Sequence, residues 1–317
     1  MNYRRLGRSG LKVSEICLGA WINFGDRIED KEAFRVLDAA VEEGINFFDT
    51  ADVYASGKAE ELMGRWMQGK DRRQIVLATK CRWRMWEGPN GEGNSRKHII
   101  DACHDSLRRL QTDYIDLYQL HGQDDDTPLE ETMRALNELM DAGKVRYIGC
   151  SNWHSEMIGE ATRICERLNL NKFISLQPHY NMLRRDIEKK EVPRCLEEGL
   201  GLIPYSPLAQ GLLSEKYLGG QIPAGSRGQG NEGIEKMLRE HLPKIQALGE
   251  MAHGRDLTLS QLSLAWLLHQ PAMVSPIIGA TRPEQVQENA KASGIKLSGE
   301  EMAQIETILS PKNKDKA

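Results

Sequence analysis

The sequence predicts an α/β fold: one closed (β/α)8 TIM barrel over residues 1–317, with an N-terminal β-hairpin and an extra C-terminal helix. Three observations carry that reading. Short apolar runs alternate with amphipathic segments eight times, with no linker between them, as expected of parallel strands each followed by a helix. A length of 317 residues suits either two domains or one large barrel. The competing architecture, a doubly wound sheet, needs a glycine-rich turn after its first strand, and here that strand runs into Leu18-Gly19-Ala20-Trp21.

Residues 3–12 read as the hairpin, with Arg8-Ser9-Gly10 as its turn. Strands follow at 14–20, 45–50, 75–80, 115–121, 145–151, 174–180, 201–206 and 274–279. Helical periodicity marks 30–43, 58–68, 96–110, 129–142, 155–168, 186–198, 258–269, 283–292 and 298–309. Ser95 caps the third helix, Gly143 closes the fourth, and Ser298 opens the last. Thr127-Pro128 reads as an N-cap followed by a first-turn proline. The stretch 209–240 is a long glycine-rich loop after the seventh strand, where lids and binding loops occur. Within it, Gly228-Gln229-Gly230-Asn231-Glu232-Gly233 matches a dinucleotide fingerprint by letter alone, because a polar loop and not a strand precedes it.

Hydrophobic residues make up 40% of the chain and charged residues 28%, so a large core is expected and disorder is not. A net charge of −4 argues against nucleic-acid and anionic-membrane partners. The six cysteines include no C-x-x-C pair and sit mostly in apolar contexts, so they read as small core residues. With no secretory leader and no window of membrane-spanning length, the expectation is a reduced, cytoplasmic protein that does not insert into a membrane. The eight histidines lack metal-ligand spacing, and no metal site is expected.

Three neighbouring strands end in chemistry. The run Asn46 to Thr50 finishes at Asp49, with Tyr54 on the loop beyond; Ile75–Lys80 ends in a lysine and Asp116–His121 in a histidine. In a barrel the working groups sit at the C-terminal strand ends. A phenol gives up its proton reluctantly, and an ammonium beside it lowers its pKa. Asp49 would keep Lys80 charged, and a neutral His121 could orient a carbonyl oxygen. Such a site suits carbonyl reduction by hydride, or an enolisation that would need no nicotinamide. Taken singly, each has a plain structural alternative: Asp49 a helix cap, Lys80 a surface charge, Tyr54 a packing ring, His121 a turn residue.

The set Phe48-Asp49-Thr50-Ala51-Asp52-Val53-Tyr54 with Lys80 and His121 resembles the aldo-keto reductase family, whose catalytic tetrad is Asp, Tyr, Lys and His. Gly143-Lys144-Val145-Arg146-Tyr147-Ile148-Gly149-Cys150-Ser151-Asn152 and Ile277-Ile278-Gly279-Ala280 extend the likeness over nearly the whole chain. Leu6–Ser14 and Ser95–Ile100 resemble the branch of voltage-gated potassium-channel β-subunits and their bacterial reductase relatives. The resemblance implies NADPH-dependent reduction of a small aldehyde or ketone, with Tyr54 as proton donor. Its alternative is a nicotinamide-sensing regulatory subunit of a partner such as a channel; His121, where the animal β-subunits carry asparagine, favours the enzyme. It further implies a homo-oligomer, a ring of subunits.

By the same resemblance, Ser151, Asn152 and Gln177 meet the nicotinamide amide and Tyr205 stacks on its ring, with Gly19, Ala20, Trp21 and Asp49 on the near side. Ser206, Pro207, Leu208, Ala209 and Gly211 pass the pyrophosphate, with Lys216 and Arg227 arriving from the long loop. Gly279, Thr281, Arg282, Gln285, Glu288 and Asn289 hold the adenosine and its 2′-phosphate. Lys216, Arg227 and Arg282 together favour NADPH over NADH; Thr281 departs from the basic residue the family often has there. Trp83, Met85 and Trp86 are candidates for an apolar substrate wall. With only eight residues after the last predicted helix, the site is expected to be open and its specificity broad.

Overall fold

The structure is a computed structural model, and it describes residues 1–21 and 23–310. Its hairpin pairs β1 (Tyr3–Arg5) with β2 (Lys12–Ser14) antiparallel, Arg4 opposite Val13. The reversal starts earlier than Arg8: Gly7 has φ +59, and a Cβ there would collide with the carbonyl oxygens of Gly199 and Ile174. Eight parallel strands follow: β3 (Cys17–Gly19), β4 (Phe47–Asp49), β5 (Val76–Cys81), β6 (Ile115–Leu120), β7 (Val145–Ser151), β8 (Ser175–Gln177), β9 (Gly201–Leu202) and β10 (Ile277–Ile278). They pair in order, with β10 returning to β3. A bridge from Tyr205 to Ile277, with Ile277 N donating to Pro204 O at 2.8 Å, closes the barrel.

Helices α1 (Asp30–Glu42), α2 (Lys58–Met67), α3 (Arg96–Leu110), α4 (Leu129–Asp141), α5 (Ser155–Leu168) and α6 (Glu191–Glu198) form the outer ring over the first strands. Ser95 Oγ accepts from His98 N, as its cap position requires, and Gly143 has φ +69 past the end of α4. Thr127 does not cap α4: the cap position falls on Pro128, and the Thr127 hydroxyl donates to Asp124 instead. The helix expected over 186–198 is broken into a short turn at Asp186–Lys189 and then α6.

The largest departure lies after the seventh strand. The end of the expected loop, from 232 to 240, and the stretch beyond it form α7 (Glu232–His253), 22 residues long and capped by Asn231, whose Oδ1 accepts from Ile234 N. The fingerprint-like glycines thus run into a helix, but behind no strand. Every residue of α8 (Leu259–Leu268) is buried, which a helix apolar on all sides demands. The chain finishes with α9 (Pro283–Ala290) and α10 (Gly299–Leu309), the latter opened by a reciprocal Ser298–Glu301 box. The tail from 311 on lies outside the described residues. All six cysteines are buried and free.

Two apolar layers hold the fold. One lies between strands and helices and includes Val36, Leu62, Leu136 and Ile158. The other fills the barrel: Phe47, Val76, Ala78, Leu117, Ile203, Val274 and Ile277, with Leu6 and Val13 inserted from the hairpin. Fully burying a side chain such as Leu6 or Val13 stabilises by about 1.5–3 kcal/mol. The hairpin plugs the barrel's N-terminal end, and only the other end is open.

Candidate active site

Alternation along the strands builds the open end. Inward-facing residues recur every second position, so Phe47 is followed by Asp49, Val76 and Ala78 by Lys80, and Leu117 by Gln119. The same period brings Gln177 from β8 into the layer above the apolar core. Buried polar groups cost free energy unless they are hydrogen-bonded, so Asp49, Lys80, Gln119 and Gln177 must satisfy each other.

They do. Lys80 is fully buried; its Nζ donates to Asp49 Oδ1 at 2.6 Å, to Thr50 O at 2.7 Å and to Tyr54 OH at 3.1 Å. The other Asp49 oxygen accepts from Gln177 Nε2 at 2.9 Å and Gln119 Nε2 at 3.3 Å. Burial opposes the Lys80 charge, but Asp49 and Tyr54 outweigh it and hold the ammonium above its ordinary 10.5. Tyr54 goes the other way from expectation: burial raises its phenol above 10, and the opposing pull of Lys80 does not overcome it. Burial, then the Lys80 and Arg82 charges, pushes His121 down to about 2, so its imidazole is neutral. The His121 ring meets Tyr54 edge-on, centroids 5.7 Å apart, and its Nδ1 is buried without a hydrogen-bond partner. Asp52 takes no part. It is buried, and burial with the neighbouring Glu60 raises its carboxyl.

Asp49, Tyr54 and His121 face a cavity of about 1240 Å³ that runs on past Tyr205 to Gln285 and Asn289 on α9. Lys80 stands behind that wall. Of the residues expected around a cofactor, Gly19, Trp21, Ser151, Asn152, Gln177, Tyr205, Ser206, Pro207, Leu208, Gly211, Lys216, Arg227, Gly279, Thr281, Arg282, Gln285, Glu288 and Asn289 line it. Ala20 and Ala209 do not; both are buried behind the lining. Ser151 and Asn152 are not helix caps: the cap position of α5 is His154, Ser151 Oγ donates to Gln177 O, and Asn152 has φ +57. Tyr205 OH donates to Asn152 Oδ1 at 3.0 Å, and its ring stacks on His179 at 5.0 Å. Asn152, Ser206 and Gln210 all line the cavity with positive φ, backbone strain of the kind that collects at working sites. Trp83 lines the cavity, 43% exposed, whereas Trp86 packs on His98 and, like Met85, stays outside it.

The sequence reading missed Gln119, Asn23, Arg27 and Ser260. Gln119 carried a signal, a polar residue in phase with inward-facing Leu117. Asn23 and Arg27 sit on an irregular turn with no periodicity to find them by, although Gly25, at φ +81, marks the bend. The lining as a whole offers a stacking ring, side-chain amides and exposed cations. That donor set suits a long planar ligand carrying phosphates.

The aldo/keto reductase family model matches residues 15–310. The chain belongs to the aldo/keto reductase family. It is 41% identical, over 99% of its length and 98% of theirs, to a probable voltage-gated potassium channel subunit beta of Oryza sativa subsp. japonica. A protein described in the same words from Arabidopsis thaliana is 43% identical over 92% of this chain and 91% of its own. The L-glyceraldehyde 3-phosphate reductase of Escherichia coli (strain K12) is 38% identical over 96% of this chain and 92% of its own. Family membership supports oxidoreductase chemistry on carbonyl groups, and aldo/keto reductases generally use nicotinamide cofactors. Among the described residues no helix is long and apolar enough to cross a membrane.

Proposed function

We propose that the chain is an NADPH-dependent reductase of aldehydes and ketones with Tyr54 as its proton donor. The observation that carries this reading is the contact of one buried ammonium, Lys80 Nζ, with both Tyr54 OH and Asp49 Oδ1 in the wall of a long cavity. A bound nicotinamide supplies the hydride. The rest falls to the chain. Burial keeps the Tyr54 phenol protonated at neutral pH, ready to give its proton to the substrate oxygen as that oxygen gains charge. Lys80 then stabilises the phenolate left behind, and Asp49, held by Gln119 and Gln177, keeps Lys80 charged. Neutral His121 donates a hydrogen bond to the same oxygen without importing a charge.

Ser151 and Asn152 would hold the nicotinamide amide and Tyr205 its ring, while Lys216, Arg227 and Arg282 would meet the phosphates and favour NADPH over NADH. Exposed Trp21 and Trp83 leave the mouth open, which supports broad use of small carbonyls; the printed name of the Escherichia coli relative supports a short aldehyde among them. The names of the two plant relatives favour a second reading, a nicotinamide-sensing subunit of a partner protein. The test follows NADPH binding by tryptophan fluorescence and NADPH oxidation with 4-nitrobenzaldehyde, for the wild type and Tyr54→Phe. A reductase binds and turns over, and the variant keeps binding but loses about 10²–10⁴-fold in rate. Binding without turnover on many carbonyls would support the sensing subunit, and no binding would end both readings.

A further inference from the structure

The His121 ring must hold one orientation, and its own nitrogens do little to fix it. Its Nδ1 is buried with no hydrogen-bond partner among the described residues. The ring meets Tyr54 and Trp83 edge-on, centroids 5.7 and 6.3 Å away. An imidazole that presents one nitrogen to a substrate is ordinarily aimed by a hydrogen bond to the other. Here the aim has to come through the backbone, where His121 N donates to Cys81 O at 2.9 Å.

Each of the three residues after His121 is caught by the loop that follows β5. Asn94 Nδ2 donates to Gly122 O at 3.0 Å, Arg82 Nε to Gln123 O at 2.8 Å, and Asn94 N to Asp124 Oδ2 at 2.6 Å. Gly122 packs so closely on Arg82 that a Cβ would stand 3.2 Å from its Cδ. Asn94 is itself held. It is 2% exposed, its carbonyl accepts from Thr132 Oγ1 of α4 at 2.9 Å, and the neighbouring Gly93 N donates to Arg82 O at 2.7 Å. Only Asn94 Oδ1 is left without a partner. The amide has to face this way, since turning its oxygen toward Gly122 O would set acceptor against acceptor. Burying an amide with one atom unpaired costs free energy, and an apolar side chain would fill the space without that cost. What the amide supplies is a grip on the peptide beside His121. We propose that Asn94 is a positioning residue for the reaction: it holds the Gly122 carbonyl, and through it the aim of the His121 imidazole at the substrate oxygen. The inference rests on reading His121 as a hydrogen-bond donor to that oxygen.

NADPH oxidation with 4-nitrobenzaldehyde would be followed for wild type, Asn94→Leu, His121→Phe and the double variant, with the Kd for NADPH measured for each. Asn94→Leu fills the space and removes the donor; His121→Phe keeps a ring beside Tyr54 and removes its nitrogens. If Asn94 acts through His121, Asn94→Leu lowers kcat about ten- to a hundredfold and leaves the NADPH Kd unchanged. In the His121→Phe background it then has no further effect. An equal loss in both backgrounds would make Asn94 a general support of the loop and overturn the proposal. So would an unchanged kcat, or an NADPH Kd weakened as much as kcat falls. Should Asn94→Leu fail to fold, Asn94→Ala removes the same donor, leaves room for water, and runs through the same cycle with the same outcomes. Wild-type protein that binds no NADPH, or binds it and reduces no carbonyl, would instead overturn the functional reading beneath it.

Discussion

Replacing Asp49 by asparagine removes a charge and almost no volume, so its effects are electrostatic. The amide can present only one acceptor oxygen, whereas Asp49 accepts from Lys80 on one side and from Gln119 and Gln177 on the other. With its oxygen toward Lys80, the new NH2 group meets two donors. Lys80, fully buried, then keeps Thr50 O, Tyr54 OH and the neutral amide oxygen as partners but has no counter-charge. Removing one member of a buried ion pair costs about 3–5 kcal/mol. The pH dependence has a definite sign. In the wild type Lys80 titrates above 10.5, so its contribution is complete below that pH and is lost only as pH rises through the folded-state value. In Asp49→Asn burial prevails and Lys80 falls below 10.5; the unfolded chain then binds the extra proton, and the variant gains stability as pH rises toward 10.5. Its gain is at most about 1.4 kcal/mol per pH unit. Urea unfolding of both proteins at pH 7 and pH 10 tests this, because other titrating groups cancel in the difference. A gap of several kcal/mol at pH 7 that narrows by pH 10 is expected. A gap that stays constant, or is absent at pH 7, would refute the account of Lys80.

Two further substitutions read other parts of the structure. His121 titrates near 2 in place of 6.5, so below pH 6.5 the unfolded chain takes up a proton the folded chain refuses. Relative to His121→Asn, the wild type should lose about 2 kcal/mol between pH 6.5 and pH 5 in urea unfolding, and parallel curves would show the imidazole free to charge. At Gly64 a Cβ would stand 2.4 Å from the Arg109 carbonyl oxygen, backbone of α3 that cannot swing aside. Gly64→Ala should therefore destabilise by about 1–3 kcal/mol, a fall of several degrees in Tm, despite alanine's better helix propensity; a rise in Tm would contradict the packing.

The barrel and its reactive end were legible because both follow from period two. Once eight apolar runs are taken as parallel strands, Asp49, Lys80 and His121 must gather at one edge, and Tyr54 lies on the loop beside them. What the residues did not reveal has physical reasons. Helix α7 hides behind Gly233, Gly249 and an interior Pro243, which lower its apparent propensity, while burial of its apolar side and the Asn231 cap hold it in place. The direction of the Tyr54 shift depends on how dry the site is, and dryness is set by the whole fold. Arg27 lies where no periodicity reaches, and only three dimensions bring it to the cavity wall.

The hairpin plug has a consequence for how the chain comes together. Leu6 and Val13 lie among side chains from β4, β5, β6 and β10, with Ile203 and Val274 beside them. Arg4 Nη1 donates to Leu268 O and Met273 O, more than 260 positions away. The hairpin residues, made before the strands that seat them, are thus among the last to reach their native neighbours, since their seat does not exist until the ring has closed. Contacts of such long sequence separation come late and couple the two ends of the chain into one cooperative unit. A partly made barrel would have a hollow, sticky floor, and the waiting hairpin is the piece that seals it.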